Sequence, residues 1–198
     1  MSRNPDSATR ALDRRVRRTR DRLGDALMAL VVEKPFDTIT VQDVLDRAGV
    51  ARSTFYNHFR DTNDLFLSDS DDFLELMATR LSRAGEASDR LVAVRELFAH
   101  VGESRALYDA LVAADRLQDF LDLARDHFAR GIERRLFELP RARHLPGERR
   151  PALAQGLAGA LLSLLTWWIT RPDPALPEEM DDLFHALAWS GVEGSRGA

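Results

Sequence analysis

At 198 residues, with 44% hydrophobic and 30% charged side chains, the chain can form one large domain or a small one joined to a larger one, and it lies outside the disordered class. It has no cysteine, which excludes disulfide frameworks and thiolate metal or catalytic sites. The net charge of −4 conceals a division: residues 1–60 carry twelve basic against eight acidic side chains, a net of +4, and residues 61–198 carry sixteen against twenty-four, a net of −8. That pattern points to an anionic partner for the first segment only, although an imbalance of this size also arises by chance.

Residues 1–9 are polar and read as loose. The opening MSRNPDSATR lacks the apolar stretch of a secretory signal. The longest apolar run, at 157–169, falls short of the ~20 residues that cross a bilayer. Both lead to the expectation of a cytoplasmic protein with no membrane partner. A first helix is predicted from Leu12 to Glu33, with Val16, Leu23, Leu27 and Leu30 at helical spacing and Pro35 as its stop. Its first half carries Arg14, Arg15, Arg17, Arg18, Arg20 and Arg22. The run reads equally as a solvated face or as one turned to an anion.

Thr40 is the predicted N-cap of a short helix over 41–48. Asp43 stands at N3 of a capping box, and Ile39 is placed to staple against Val44. Gly49 falls where such a helix ends in the left-handed conformation. A second short helix begins around Arg52, and two short helices about a glycine turn make a helix-turn-helix. In the second of these, Phe55 and Phe59 are four apart and share one side. Ser53, Tyr56 and Asn57 fall roughly opposite. Two aromatic anchors under a layer of hydroxyls and an amide describe a helix with one face for a core and one for base edges and phosphates. Arg52, in its first turn, is placed to reach guanine or a phosphate.

Asp61 caps the next helix, with Asp64 at N3. The rest reads as amphipathic helices at about 62–84, 89–101, 104–113, 116–138, 151–170 and 177–190, with Ser88 as an N-cap and polar turns at 141–151 and 171–177. In the helix at 151–170, Leu157, Leu161, Leu164, Leu165 and Trp168 form a stripe, while Ala160, Trp167 and Ile169 leave its other sides apolar. A helix apolar nearly all round is buried on both sides. Met180, Leu183, Phe184 and Leu187 give the last helix a matching face. Together they predict a homodimer through 151–170 and 177–190, with an intrachain core helix as the other reading.

The stretch FDTITVQDVLDRAGVARSTFYNHFRDTNDLF, residues 36–66, resembles the helix-turn-helix of the TetR family of bacterial transcriptional regulators. The carrying features are the capped short helix, the A-G-V turn, the S-T-F-Y-N-H-F recognition segment and the capped helix that follows. LLSLLTWWI and PEEMDDLFHAL resemble, less specifically, the last two helices of one subgroup. The resemblance implies an all-α fold: an N-terminal three-helix DNA-binding domain at 1–60, with its motif at about 40–59, and a larger helical ligand-binding and dimerisation domain at 61–198. It implies that Arg52, Ser53 and Thr54 approach bases, that Tyr56 and His58 contact phosphates, and that Thr40 and Gln42 touch the DNA backbone. Ala51 departs from the family's usual serine cap, and Thr62 from a lysine that often contacts phosphate.

The implied partners are a palindromic double-stranded DNA operator, a second copy of the chain, and a small-molecule effector that the residues do not identify. His127, His100, Tyr108 and Arg105 are polar groups near apolar helices, without a pattern that makes any of them a ligand site. No catalytic grouping, cofactor motif or metal-ligand spacing is visible. The reading is therefore a DNA-binding regulator, most simply a repressor released by its ligand. The alternatives are an activator, a helical protein that binds a protein or lipid without DNA, and an enzyme built in the helical body.

Overall fold

The computed structural model describes the backbone of residues 5–83 and 89–194, and side chains over 14–75 and 89–194. The predicted Ser88 cap lies outside the described residues. Within them the elements are α1 (Pro5–Glu33), a 3-10 turn (Phe36–Thr38), α2 (Val41–Ala48), α3 (Arg52–Tyr56), α4 (Thr62–Arg83), α5 (Val94–Glu103), α6 (Arg105–Ala113), α7 (Leu117–Glu138), a 3-10 turn (Pro140–Ala142), α8 (Arg149–Ile169) and α9 (Pro177–Gly194). No strand occurs among the described residues, and the architecture is all-α. The chain divides into two compact units, one of residues 1–70 with 110–116, the other of 71–109 with 117–198.

The first unit is built around α1. Leu23, Leu27, Leu30 and Val31 are buried along one side of it, and α2 packs there with Val44, Leu45 and Ala48. Phe36, Phe55, Phe59, Leu65 and Phe66 complete the core. The helix starts at Pro5 rather than Leu12, since a proline is tolerated in a first turn, where its missing N–H would have no partner anyway. At Gly24 a Cβ would stand 1.9 Å from an Asp69 carboxylate oxygen, so α1 and the first turns of α4 approach through the absence of a side chain.

Residues 111–116 join this unit through a turn at Asp115. Asp115 adopts φ 55°, the Arg116 N–H donates to the Leu111 carbonyl at 2.9 Å, and the Asp115 N–H donates to the Val112 carbonyl at 3.2 Å. This is a Schellman end with aspartate in glycine's usual place. It sets the Arg116 guanidinium over the Phe36 ring at 4.7 Å, donating to Asn63 at 2.9 Å and 3.6 Å from Asp37.

In the second unit α8 packs along α7, and α9 along α5. Residues 89–93, predicted as helix, are irregular. Their backbone groups are taken by side chains instead. His185 Nε2 accepts from the Leu91 N–H at 3.0 Å, Trp189 Nε1 donates to the Asp89 carbonyl at 3.1 Å, and Arg135 donates to the Arg90 carbonyl at 3.1 Å. Local periodicity lost to hydrogen bonds reaching across about a hundred residues of sequence. Asp181, buried in α9, pairs with Arg90 and accepts from the Arg95 N–H at 3.3 Å.

α8, at 21 residues, is long and apolar enough by length and composition to cross a membrane, because the helix includes 149–156 ahead of the apolar run. Much of that apolarity serves the unit's own core: Ala154, Leu157, Ala158, Leu161, Leu162, Leu165, Trp168 and Ile169 are buried. The predicted stripe thus lies in the core, with only Leu164 half-buried. Leu161 and Leu165 face inward, as does Ile169, which the sequence reading had placed on another side. Met180 and Phe184 of α9 are likewise core residues, and Leu183 and Leu187 are exposed.

His185 makes this unit sensitive to acid. Burial, reinforced by the Arg90 charge and opposed by Asp182, lowers its pKa to about 4. The Asp181 carboxylate lies 3.5 Å from Nδ1, but Arg90 already neutralises it. With Nε2 accepting from Leu91 and Nδ1 donating to the Asp181 carbonyl at 2.8 Å, the fold requires the neutral ring. The folded pKa lies below the unfolded value of about 6.5, so this contribution is complete above pH 6.5 and is lost as pH falls toward 4. Urea unfolding followed from pH 7 to pH 4 should show stability declining in that window, and the decline should be shallower in His185→Gln.

Candidate nucleic-acid interface

The interface is set by how α2 begins and ends. Its start is a complete capping box: the Thr40 hydroxyl accepts from the Asp43 N–H at 3.2 Å, and Asp43 accepts from the Thr40 N–H at 2.8 Å. The hydrogen-bonded Lys34 ammonium, 2.8 Å away, and Thr40 hold the Asp43 carboxyl well below the usual carboxylate range. The Thr40 hydroxyl also donates to Asp43 at 2.7 Å. Both of its donors, N–H and O–H, are therefore spent on the cap, which leaves Thr40 nothing to donate to a phosphate in this arrangement.

α2 ends at Gly49, with φ 61° and ψ 42°. The Gly49 N–H donates to the Leu45 carbonyl at 2.9 Å. Arg22 of α1 reaches over this end, donating to the Ala48 carbonyl and to the Gly49 carbonyl at 3.3 Å. A cation there complements the negative end of the helix dipole. Sequence reasoning did not single out this role. The signal, a basic residue on the side of α1 that meets α2, only becomes informative once α1 is placed against α2.

α3 follows after two residues. Ala51 at its N-cap has no side-chain hydrogen bond to offer, as the alanine implied. Helical geometry lasts only from Arg52 to Tyr56, and the His58 and Phe59 N–H groups both close on the Phe55 carbonyl at 2.9 Å. Phe55 and Phe59 are buried, with ring centroids 5.8 Å apart. They fix the opposite face outward. Arg52, Ser53, Tyr56 and Asn57 are exposed, and Thr54 and His58 are half-buried. Gln42, exposed on α2, donates to Asp46 at 2.7 Å and lies 3.5 Å from an Arg52 nitrogen.

Arg52 lies over the Tyr56 ring at 5.5 Å and donates to its hydroxyl at 3.3 Å. The Tyr56 hydroxyl accepts there, which leaves its own proton to donate elsewhere. The surface thus offers donors (the guanidinium, Tyr56 O–H and the Asn57 amide) beside two hydroxyls that both donate and accept. α4 opens with Asp61 accepting from the Asp64 N–H at 2.8 Å, and Asp64 accepting from the Arg60 N–H at 2.9 Å. Thr62 occupies its first position.

Residues 23–68 match the profile of the family described as bacterial regulatory proteins, tetR family. This segment is a TetR-type helix-turn-helix. No curated protein matches it. Among solved structures it is similar in fold to a candidate TetR-family transcriptional regulator from Syntrophomonas wolfei, at 19% identity and TM-score 0.62 over 88% of this chain and 94% of that one. It is also similar to a TetR transcriptional regulator from Streptococcus agalactiae, at 21% identity and TM-score 0.61 over 91% and 98%. A dihydroxyacetone kinase operon activator, DhaS, aligns at 15% identity and TM-score 0.66 over 88% and 96%. At these identities the likeness is one of fold. The match thus covers the TetR helix-turn-helix, and the all-helical remainder follows the same architecture.

The polar groups of the second unit occupy separate places. His127 is buried with Nε2 2.8 Å from Asp71 and Nδ1 3.7 Å from Glu75. His100 lies on the Phe73 ring at 4.7 Å, and burial pushes its pKa down. Tyr108 is buried edge-on to Phe120, and burial pushes its hydroxyl pKa up. Arg105 donates to the Ile169 and Arg171 carbonyls and pairs with Asp109. Among the described residues no cluster of His, Asp or Glu could hold a metal ion.

Two substitutions weigh these local devices by urea unfolding. Gly49→Ala should destabilise by about 1–2 kcal/mol, because its Cβ is forced into the left-handed region and comes 3.1 Å from the Arg22 guanidinium. Ala51→Ser should stabilise by about 0.5–2 kcal/mol by supplying the absent cap.

Proposed function

We propose that this protein is a TetR-family regulator that binds a palindromic DNA operator as a homodimer and represses transcription until a small-molecule effector releases it. The observation that carries the reading is the outward face of α3, where Arg52, Ser53, Tyr56 and Asn57 are exposed over buried Phe55 and Phe59. Arg52, Ser53 and Thr54 read bases, Tyr56, Asn57 and His58 position the backbone, and Gln42 supports Arg52. Thr40 acts through its cap rather than by contact.

The dimer joins α8 and α9 to their copies about a two-fold axis. Support comes from a side of each helix that the second unit leaves uncovered. On α8, Gly156, Ala160, Ser163 and Trp167 recur at helical spacing, and on α9 Leu183 and Leu187 are 45% and 54% exposed. Open space above Gly156 and Gly159 suits the close approach of another helix. The face keeps Leu183, Leu187, Ala160 and Trp167 of the apolar sides expected from periodicity, while Leu161, Leu165, Met180 and Phe184 belong to the unit's own core. The effector acts in the second unit. Its message travels along α4 and through 110–116, whose Arg116 grips Phe36 and Asn63. By linkage, effector and operator weaken each other's binding by the same factor.

Selection from random duplexes should enrich a palindrome whose half-sites are about one helical turn, ~34 Å, or a small multiple apart. On it, Arg52→Ala should shift base preference by about 1–3 kcal/mol at one position per half-site, while Tyr56→Phe should weaken all sequences alike. A selection that enriches nothing at low salt refutes the DNA reading. Leu187→Glu should yield a folded monomer by sedimentation, and loss of tight palindrome binding with it. Leu161→Arg should instead unfold the protein, because it places an unpaired charge in the core.

A further inference from the structure

The arginines of α1 have different occupations. Arg20 lies over the Phe59 ring at 5.3 Å and donates to Ser68 at 2.7 Å. Arg22 holds the end of α2. Arg14, Arg15 and Arg18 are exposed, and their guanidinium groups have no ion pair or hydrogen bond among the described residues. These three, with Arg22 and Thr19, form one wall of a groove of about 540 Å³ whose other wall is the turn at 49–51 and Thr54 of α3. No carboxylate lines it among the described residues. Arg17 lies outside the groove.

Four guanidinium groups converging without a counter-charge raise the local potential and favour an anion. The groove ends on Thr54, a residue of the reading helix, so whatever occupies it adjoins the half-site. Arg14 and Arg18 are one helical turn apart, roughly 6 Å along the axis, which is close to the step between neighbouring phosphates along a strand. With their long side chains, Arg14, Arg15 and Arg18 can therefore each take a separate phosphate.

We propose that this groove is a second DNA contact, in which Arg14, Arg15 and Arg18 take backbone phosphates flanking the half-site read by α3. The proposal rests on the DNA-binding reading. It extends the footprint beyond the helix-turn-helix, supplying affinity without sequence preference, because phosphates carry none. Arg22, already engaged with the α2 end, contributes charge while keeping its structural place.

The test is binding to the selected palindrome as a function of salt. In Arg14→Gln/Arg15→Gln/Arg18→Gln the log–log slope should fall in magnitude by roughly 2 to 3 per half-site, about 0.9 for each phosphate, with the preferred sequence unchanged. The Arg17→Gln variant should leave the slope near wild type. With wild-type protein, neutral methylphosphonates in the flanking steps should reproduce the loss, and should add nothing further to the triple variant. That duplex also decides the matter if the triple variant does not fold. A wild-type slope in the folded triple variant, a slope unaffected by flanking methylphosphonates, or an Arg17→Gln effect equal to that of each groove arginine overturns the proposal. If Arg52→Ala and Tyr56→Phe weaken binding while the groove variants do not, only the groove assignment fails. If the wild-type protein binds no duplex, both assignments fail.

Discussion

The end of α2 is the constraint on which the first unit depends. Gly49 turns the chain in the left-handed region, and Arg22 reaches from α1 to the carbonyls that turn exposes. α3 has only five helical residues, too few to be stable by its own hydrogen bonds. It also lacks a side-chain cap. Its geometry is therefore imposed from outside, by the turn before it and by Phe55 and Phe59 beneath it. Fixing these two phenylalanines determines where Arg52, Ser53, Tyr56 and Asn57 point. An arginine that looks like surface charge in the sequence is in this way part of the scaffold of the reading helix.

The second unit uses a comparable device at another scale. Residues 89–93 have no regular structure, yet their backbone groups are satisfied by His185, Trp189 and Arg135 from α9 and α7. Asp181 and Arg90 add a charge pair at the same place. This anchors one side of α9 inside the unit and leaves Leu183 and Leu187 outside. Apolar residues on both sides of a helix are costly to expose, so the uncovered side is the natural place for the proposed second copy.

Much of the first unit was legible in the sequence because its signals are local. Thr40 with Asp43, Gly49, and Asp61 with Asp64 each sit within four residues of the groups they satisfy, and the helix boundaries at 41 and 48 follow from them. The face of α3 was legible for the same reason, since Phe55 and Phe59 are one turn apart. What failed was non-local. The helix predicted at 89–101 loses its first turns to side chains nearly a hundred residues away. The stripes on α8 and α9 were seen as apolar, but period alone does not say which apolar side meets the chain's own core. Leu161 and Leu183 look alike in sequence, and only packing separates them. The arginine run was equally mute, because Arg14, Arg17, Arg20 and Arg22 differ only in what lies opposite each.

The size of α3 bears on why assembly and recognition belong together. In the proposed complex its face offers three residues for bases, and each well-placed pair discriminates by about 1–3 kcal/mol. At the low end of that range one copy supplies about 3 kcal/mol, while a specific site typically exceeds non-specific binding by about 4–10 kcal/mol. Two half-sites on one rigid dimer bring the total into that range, provided the reading helices are held at the spacing of the duplex. The charge division acts in the same direction. A net of −8 on residues 61–198 opposes DNA contact by the larger part of the chain, so attraction is confined to the basic first segment. In the proposed complex, affinity that does not depend on sequence then comes from the first segment alone, and the discrimination is made by α3.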